Sequence, residues 1–136
     1  MTYPAALPWL ITDDIRRQEM TVRRIRPGRR MSEAVIHGDR VYLSGLTADP
    51  PTGSAAEQTK RILEQIDRLL EEAGTDKTRL LIANIWLSDI RYFDDMNTAW
   101  EAWVAKGCTP VRATVEAKLA GPEYLVEIMV QAAIES

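Results

Sequence analysis

Pro110-Val-Arg-Ala-Thr-Val115 begins a stretch in which apolar and polar residues alternate strictly as far as Leu119. The apolar set is Val111, Ala113, Val115, Ala117 and Leu119, and the polar set is Arg112, Thr114, Glu116 and Lys118. Successive side chains of a strand point to opposite faces of its sheet, so this alternation predicts a half-buried strand from Val111 to Leu119. Arg112 and Thr114 are then expected on one face, two residues apart.

A second apolar run, from Tyr124 to Ile134, predicts another strand and contains one carboxylate, Glu127. Because burying an unpaired carboxylate is costly, Glu127 is expected to find a partner or to be protonated. We predict that the two strands are neighbours, so that Arg112 and Glu127 form a pocket for a small anion. The same residues also allow a structural ion pair, and this alternative stays open.

The rest of the chain predicts the order β-β-β-α-β-α-β-β, which is an α+β fold with a mixed sheet. The predicted elements are strand Thr21–Ile25, a hairpin over Ala34–Gly45 turning at Gly38-Asp39, a helix starting with the capping box Ser54-Ala-Ala-Glu57 and stopping at Gly74, strand Leu80–Leu87, and a helix from Tyr92 to Ala105. Two helices cover only one face of such a sheet. Self-association is therefore expected on the other face, with a ligand pocket at the subunit boundary.

Asn97 is a polar residue on the apolar stripe of the second predicted helix, beside Trp100. Polar groups in such positions usually satisfy a neighbouring backbone amide or carbonyl. We interpret Asn97 in this way, with contact to a ligand as the alternative.

Composition limits the classes of function. A chain of 136 residues with 46% hydrophobic content predicts a single globular domain, and its net charge of −3 argues against nucleic acid as the main partner. Seven of its 17 basic residues nevertheless fall within residues 16–30. This cluster is interpreted as a solvated strand edge and linker, and phosphate contact is the alternative.

The single cysteine, Cys108, and the single histidine, His37, exclude an intramolecular disulfide and a His/Cys zinc site. No carboxylates have metal-ligand spacing, so we expect no metal. No run approaches the roughly 20 apolar residues that span a bilayer. Residues 1–19, which include Pro4 and Pro8, form a predicted N-terminal extension without the pattern of a signal peptide. We therefore expect a cytoplasmic protein whose main domain covers residues 20–136.

Over residues 31–134 the sequence resembles the reactive-intermediate deaminase family of RidA/YjgF-like proteins. The resemblance rests on an ordered set of segments: the hairpin Val35–Gly45, the turn Asp49-Pro-Pro-Thr-Gly53, the helix end Glu71-Glu-Ala-Gly74, the Asp-x-x-x-Phe-x-x-Met-Asn-x-x-Trp-x-x-Trp pattern of Asp89–Trp103, Pro110-Val-Arg-Ala-Thr-Val115, and Val126-Glu-Ile128. The hairpin and the second helix are similar to a divergent branch of the family.

This resemblance implies a chorismate-mutase-like fold and a homotrimer with three clefts between its subunits. It implies a hydrolase that deaminates reactive 2-imino acids or their enamine tautomers, such as 2-iminobutanoate and 2-iminopropanoate. The products are 2-oxo acids and ammonia, and the family needs neither metal nor organic cofactor.

The resemblance also implies roles for individual residues. Arg112 matches the arginine that binds the substrate carboxylate, and Glu127 matches the acid that orients or deprotonates the attacking water. Ser44 and Gly45 match backbone at the cleft, and Thr114 stands where many members have cysteine.

Met31 stands where many members have a tyrosine that reaches into a neighbouring subunit's cleft, so substrate preference is expected to differ. A retained Arg112 with an altered Met31 also fits a non-catalytic regulatory trimer that binds small carboxylates. An RNA-acting protein is a third hypothesis, supported by occasional family attribution and by the Arg23–Arg30 cluster.

Overall fold

The computed structural model describes residues 21–134, which form one mixed β-sheet and two α-helices. The elements are β1 (Arg23–Ile25), β2 (Ala34–His37), β3 (Arg40–Leu43), β4 (Leu46–Thr47), α1 (Ala55–Ala73), β5 (Leu80–Leu87), α2 (Phe93–Trp103), β6 (Val111–Glu116) and β7 (Val126–Ala133), with 3₁₀ turns at Lys77–Arg79 and Ile90–Tyr92. The predicted α+β class with two helices is confirmed. The short strand β4 was not predicted, and β6 ends at Glu116 rather than at Leu119. The predicted N-terminal extension lies outside the described residues.

The strand order is β1-β2-β3-β7-β5-β6, and β4 also pairs with β7. The prediction that the last two strands are neighbours is wrong, because β5 lies between β6 and β7. α2 connects β5 to β6 as a crossover between parallel strands, whereas β7 pairs antiparallel with the other edge of β5. The long apolar strands β5 and β7 therefore occupy the centre of the sheet.

The capping box predicted at the start of α1 is present. The Ser54 hydroxyl accepts from the Glu57 N–H at 3.1 Å, and the Glu57 carboxylate accepts from the Ser54 N–H at 3.2 Å. These bonds lower the pKa of the Glu57 carboxyl. At the other end Gly74 has a φ of 89°, a left-handed conformation that glycine adopts without strain, and it ends the helix.

Both helices pack into one core on the same face of the sheet. α1 contributes Ile62 and Ile66, α2 contributes Met96, and the sheet contributes Ile85 and Ile128, all of them almost inaccessible to solvent. The opposite face carries the side chains that alternate with the buried ones along each strand. Its members include Trp86, Val111, Val115, Glu127 and Met129. We call this second surface the open face.

Val111, Val115 and Met129 are large apolar side chains that are exposed on the open face. The face is therefore partly hydrophobic as well as uncovered by either helix.

Candidate active site

Arg112 is held by one amide and two aromatic rings. Its Nη1 donates to the Asn97 Oδ1 at 2.7 Å, and its guanidinium carbon lies 5.8 Å from the Phe93 ring centroid and 5.4 Å from that of Trp100. Burial lowers the pKa of the guanidinium, while the charge of Glu101 raises it. A guanidinium remains charged in proteins, so the site holds a fixed and partly desolvated cation.

Arg112 forms no ion pair with any carboxylate of residues 21–134. Within this part of the chain, the structural ion pair considered as an alternative is therefore wrong. Asn97 uses one guanidinium N–H, and an arginine has five, arranged to match the two oxygens of a carboxylate. Arg112 is therefore equipped to bind a small carboxylate from outside the chain.

Thr114 follows Arg112 on the same face of β6, because the two residues pair with Ala83 and Ile85 on the helix side of β5. Its hydroxyl oxygen is buried and has no hydrogen-bond partner among the described residues. A buried hydroxyl without a partner is unusual and costs free energy. A ligand or a second protein chain could satisfy it, so we group Arg112, Asn97 and Thr114 as the arginine group.

Glu127 lies on the open face of β7, where it pairs with Trp86 on one side and with Thr47 on the other. It is half-buried and makes no hydrogen bond or ion pair with any described residue. The expectation that it must find a partner or be protonated assumed full burial. The open face instead leaves its carboxylate accessible to water.

Ser44 and Gly45 interrupt the strand that runs beside Glu127. The pairing register with β7 shifts by one residue between β3 and β4, which makes this pair of residues a β-bulge. A side chain added at Gly45 would collide with the Glu127 carboxylate. Glycine therefore allows the carboxylate to lie against the backbone here, and a larger residue would make the flexible Glu127 side chain move. We group Glu127, Ser44 and Gly45 as the carboxylate group.

Met31 belongs to the loop between β1 and β2, at the sheet edge opposite β6. Its side chain is 58% exposed. Two residues later, the Glu33 carbonyl accepts from the Ser44 N–H at 2.9 Å. Within one chain, the loop of Met31 is thus connected to the carboxylate group and is distant from Arg112.

The arginine group and the carboxylate group lie on opposite faces of the sheet. Arg112 pairs with Ala83 on the helix side, whereas Glu127 pairs with Trp86 on the open side. β5 separates their strands, a distance of roughly 10 Å across the sheet. The predicted pocket shared by Arg112 and Glu127 of one chain is therefore wrong, because an intervening strand and the sheet itself lie between them.

Three residues around Arg112 were not predicted as part of a site. Asn97 was interpreted as a partner for backbone, and neither Phe93 nor Trp100 was given a role in a site. Trp100 is indeed buried, but Phe93 is 38% exposed, and the Asn97 side chain contacts Arg112 instead of backbone. The available signal was the spacing of Phe93, Asn97 and Trp100, which places them on one side of a helix.

The basic cluster of residues 16–30 is partly engaged where the structure describes it. Arg26 is exposed and forms ion pairs with Glu33 and Glu72, at 2.5 and 2.8 Å. These pairs raise its pKa further and lower that of Glu72. Arg26 is thus not a free phosphate ligand in the folded domain.

Residues 21–134 contain no cluster of three or more histidine, cysteine or acidic side chains suited to a metal ion. No helix in the same part of the chain has the length and apolar character needed to cross a bilayer.

Within residues 21–134, the fold and the two residue groups define a small α+β domain with an arginine that has no ion-pair partner and a half-buried carboxylate. A family model described as Endoribonuclease L-PSP matches residues 21–134. The RutC family protein YoaB of Escherichia coli K12 is 44% identical over 115 residues, which cover 85% of this chain and all of that protein. A RutC family protein of Haemophilus influenzae is also 44% identical, with 82% of this chain and 97% of its own length covered.

A solved structure shows the same similarity. NMB1025, a YjgF family member from Neisseria meningitidis, superposes with a TM-score of 0.83 and 45% identity, covering 87% of this chain and 98% of that one. The chain belongs to the RutC/YjgF family. The family resemblance inferred from the sequence is thus confirmed.

Proposed function

We propose that the protein hydrolyses reactive 2-imino acids, or their enamine tautomers, to 2-oxo acids and ammonia. The reaction would take place in clefts between the subunits of a homotrimer, without metal or organic cofactor. The supporting observation is that Arg112 is fixed in place, partly desolvated and without a carboxylate partner in the described chain. Such a cation fits the carboxylate that every 2-imino acid carries.

Arg112 would bind the substrate carboxylate through two parallel hydrogen bonds. Asn97 fixes one end of the guanidinium, and the rings of Phe93 and Trp100 restrict the motion of its plane. Two hydrogen bonds orient the carboxylate as well as attract it. Since the imine carbon is bonded directly to this carboxylate, its position is then fixed too. This restriction supplies the positioning that brings a water molecule into line for attack.

Glu127 would act on the water. Its carboxylate is half-buried and unpaired within the described chain, so it is able to accept a proton from water or to align it. Water then adds to the imine carbon to give a tetrahedral adduct that carries a hydroxyl and an amine. The carbon–nitrogen bond breaks as this hydroxyl becomes the carbonyl of the 2-oxo acid, and both protons of the water leave with the nitrogen as ammonia. The reaction consumes one water molecule and needs no redox partner.

The opposite orientations of Arg112 and Glu127 support a cleft built from two subunits. Within one chain, the sheet prevents them from contacting the same small molecule. We propose that the arginine group of one subunit meets the carboxylate group of the next. The exposed apolar residues of the open face, Val111, Val115 and Met129, favour such self-association.

A second candidate is a non-catalytic trimer that binds small carboxylates and regulates another process. The observation favouring it is that Arg112 is already positioned by Asn97, Phe93 and Trp100 within one chain, whereas Glu127 has no hydrogen-bond or ion-pair partner among residues 21–134. Binding alone would then require Arg112 and not Glu127.

The experiment that tests the proposal is imine hydrolysis in competition with semicarbazide, with an amino-acid oxidase supplying imines from several amino acids. Wild type is compared with Arg112→Ala, Arg112→Lys and Glu127→Gln. If the protein hydrolyses imines, wild type is expected to outcompete the trap. Both arginine variants should lose activity because they bind substrate weakly, and Glu127→Gln should still bind 2-oxo acids but turn imines over slowly. A wild-type trimer that is inert toward every imine while binding 2-oxo acids would leave carboxylate binding as the function.

A further inference from the structure

Of the two aromatic rings that lie against Arg112 within residues 21–134, Phe93 is the one that is substantially exposed to solvent. The Phe93 side chain is 38% exposed, whereas Trp100, whose ring also lies against the Arg112 guanidinium, is only 5% exposed. Phe93 begins α2, so its ring borders the arginine group at the helix end. Single exposed aromatic residues are common on protein surfaces. The significance of this one comes from its position beside an unpaired cation.

The Phe93 ring borders the guanidinium to which a substrate carboxylate would bind. A carboxylate bound to a guanidinium through two hydrogen bonds has its next carbon roughly 5–6 Å from the guanidinium carbon. The Phe93 ring centroid is 5.8 Å from that same atom. The substituent of a 2-imino acid begins at this next carbon, at a distance from the guanidinium similar to that of the ring. A substituent of several carbons is long enough to extend along the border of the site toward the exposed ring.

We infer that Phe93 determines substrate preference, and that the preferred substrates are 2-imino acids with a large apolar or aromatic side chain. This inference rests on the proposed function and specifies the substrate class for the same site. An apolar substituent would cover the exposed part of the ring and exclude water from the bound carboxylate. A methyl substituent, as in the imine of alanine, is too short to do either.

Phe93→Ala tests the inference, with Ile90→Ala as the matched control. Ile90 is also a large apolar residue, 47% exposed, and lies three residues earlier, in the 3₁₀ turn before α2, but it has no aromatic ring to offer the guanidinium. The kcat/KM values are measured for imines made from phenylalanine, leucine and alanine. Phe93→Leu serves as the conservative variant.

Wild type is expected to prefer the phenylalanine and leucine imines, and Phe93→Ala to lose about tenfold on these and less than about twofold on the alanine imine. Phe93→Leu should retain most of the preference, and Ile90→Ala should change none of the values. Equal losses on all three imines, or a wild type that prefers the alanine imine, would overturn the inference while leaving the deaminase proposal intact. A wild type that hydrolyses none of them would overturn both.

Discussion

Two impaired variants, Arg112→Ala and Glu127→Gln, are expected to restore activity to each other when their subunits are mixed. The reason is the sheet itself. Arg112 points to the helix side and Glu127 to the open side, with β5 between their strands. If one substrate needs both side chains, they must come from different subunits. A mixed ring then contains some clefts that receive an intact arginine from one variant and an intact carboxylate from the other.

The size of the recovery follows from the symmetry of a closed ring with one cleft at each interface. In an equal random mixture, each cleft has an even chance of receiving each intact residue, so about one quarter of the clefts are complete. A site within one subunit would give no recovery. Wild type mixed with the double variant Arg112→Ala/Glu127→Gln distinguishes the two cases again, with about one quarter of the sites active if they are shared and about one half if they are not.

The assay uses subunits exchanged by joint refolding from denaturant, followed by imine hydrolysis in the semicarbazide trap. Each variant refolded alone is the baseline, and refolded wild type sets the full rate. Native mass spectrometry of differently tagged subunits confirms that mixed rings have formed. A site shared between subunits is refuted if mixed rings of the two single variants stay at the baseline while wild type with the double variant retains about half of the full rate.

Three further predictions concern single positions. Asn97→Asp places a carboxylate beside Arg112, where the amide oxygen now accepts a hydrogen bond at 2.7 Å. The new ion pair should raise KM about tenfold or more, which is a larger increase than in Asn97→Ala. Equal KM values for the two variants would contradict this. Gly45→Ala forces the Glu127 carboxylate aside and should lower kcat about tenfold with little change in KM, since the arginine group is untouched. A larger change in KM than in kcat would argue against it. Glu57→Gln should lower the free energy of unfolding at neutral pH, because the pKa of this carboxyl is lowered in the folded protein. The difference should vanish in denaturant titrations as the pH falls through the folded pKa, and a constant difference would contradict it.

Local features of the fold could be predicted because they depend on neighbouring residues. The capping box at Ser54, the stop at Gly74 and the strand Leu80–Leu87 need only sequence spacing. The bulge at Ser44-Gly45 and the short strand β4 could not be predicted in the same way. Both arise from the register with β7, a strand about eighty residues later, and their own residues carry no strand periodicity.

Within the candidate site, the choice of residues was more predictable than their arrangement. Alternation along β6 placed Arg112 and Thr114 on one face, and the structure agrees. The contact of Asn97 with Arg112 was missed, because it joins a helix to a strand. The periodicity of each element shows which residues share a face, but not which face packs against which. The fully buried environment assumed for Glu127 was wrong for a related reason. An apolar run indicates a central strand, but it does not tell which of its residues face a side that no helix covers.

The order of the strands has the largest consequence for the proposed mechanism. Had β6 and β7 been neighbours, Arg112 and Glu127 could have formed an ion pair within one chain, and the arginine would have lost its capacity for an external carboxylate. The insertion of β5 keeps the two charges apart. Arg112 is therefore left to be held by an uncharged amide and aromatic rings, which orient it without neutralising it. In the proposed trimer, the two charges would meet only across a subunit boundary, where a substrate carboxylate and a water molecule can lie between them. The separation that refuted the pocket expected within one chain is thus the feature that would let the arginine and the carboxylate act on opposite sides of one substrate.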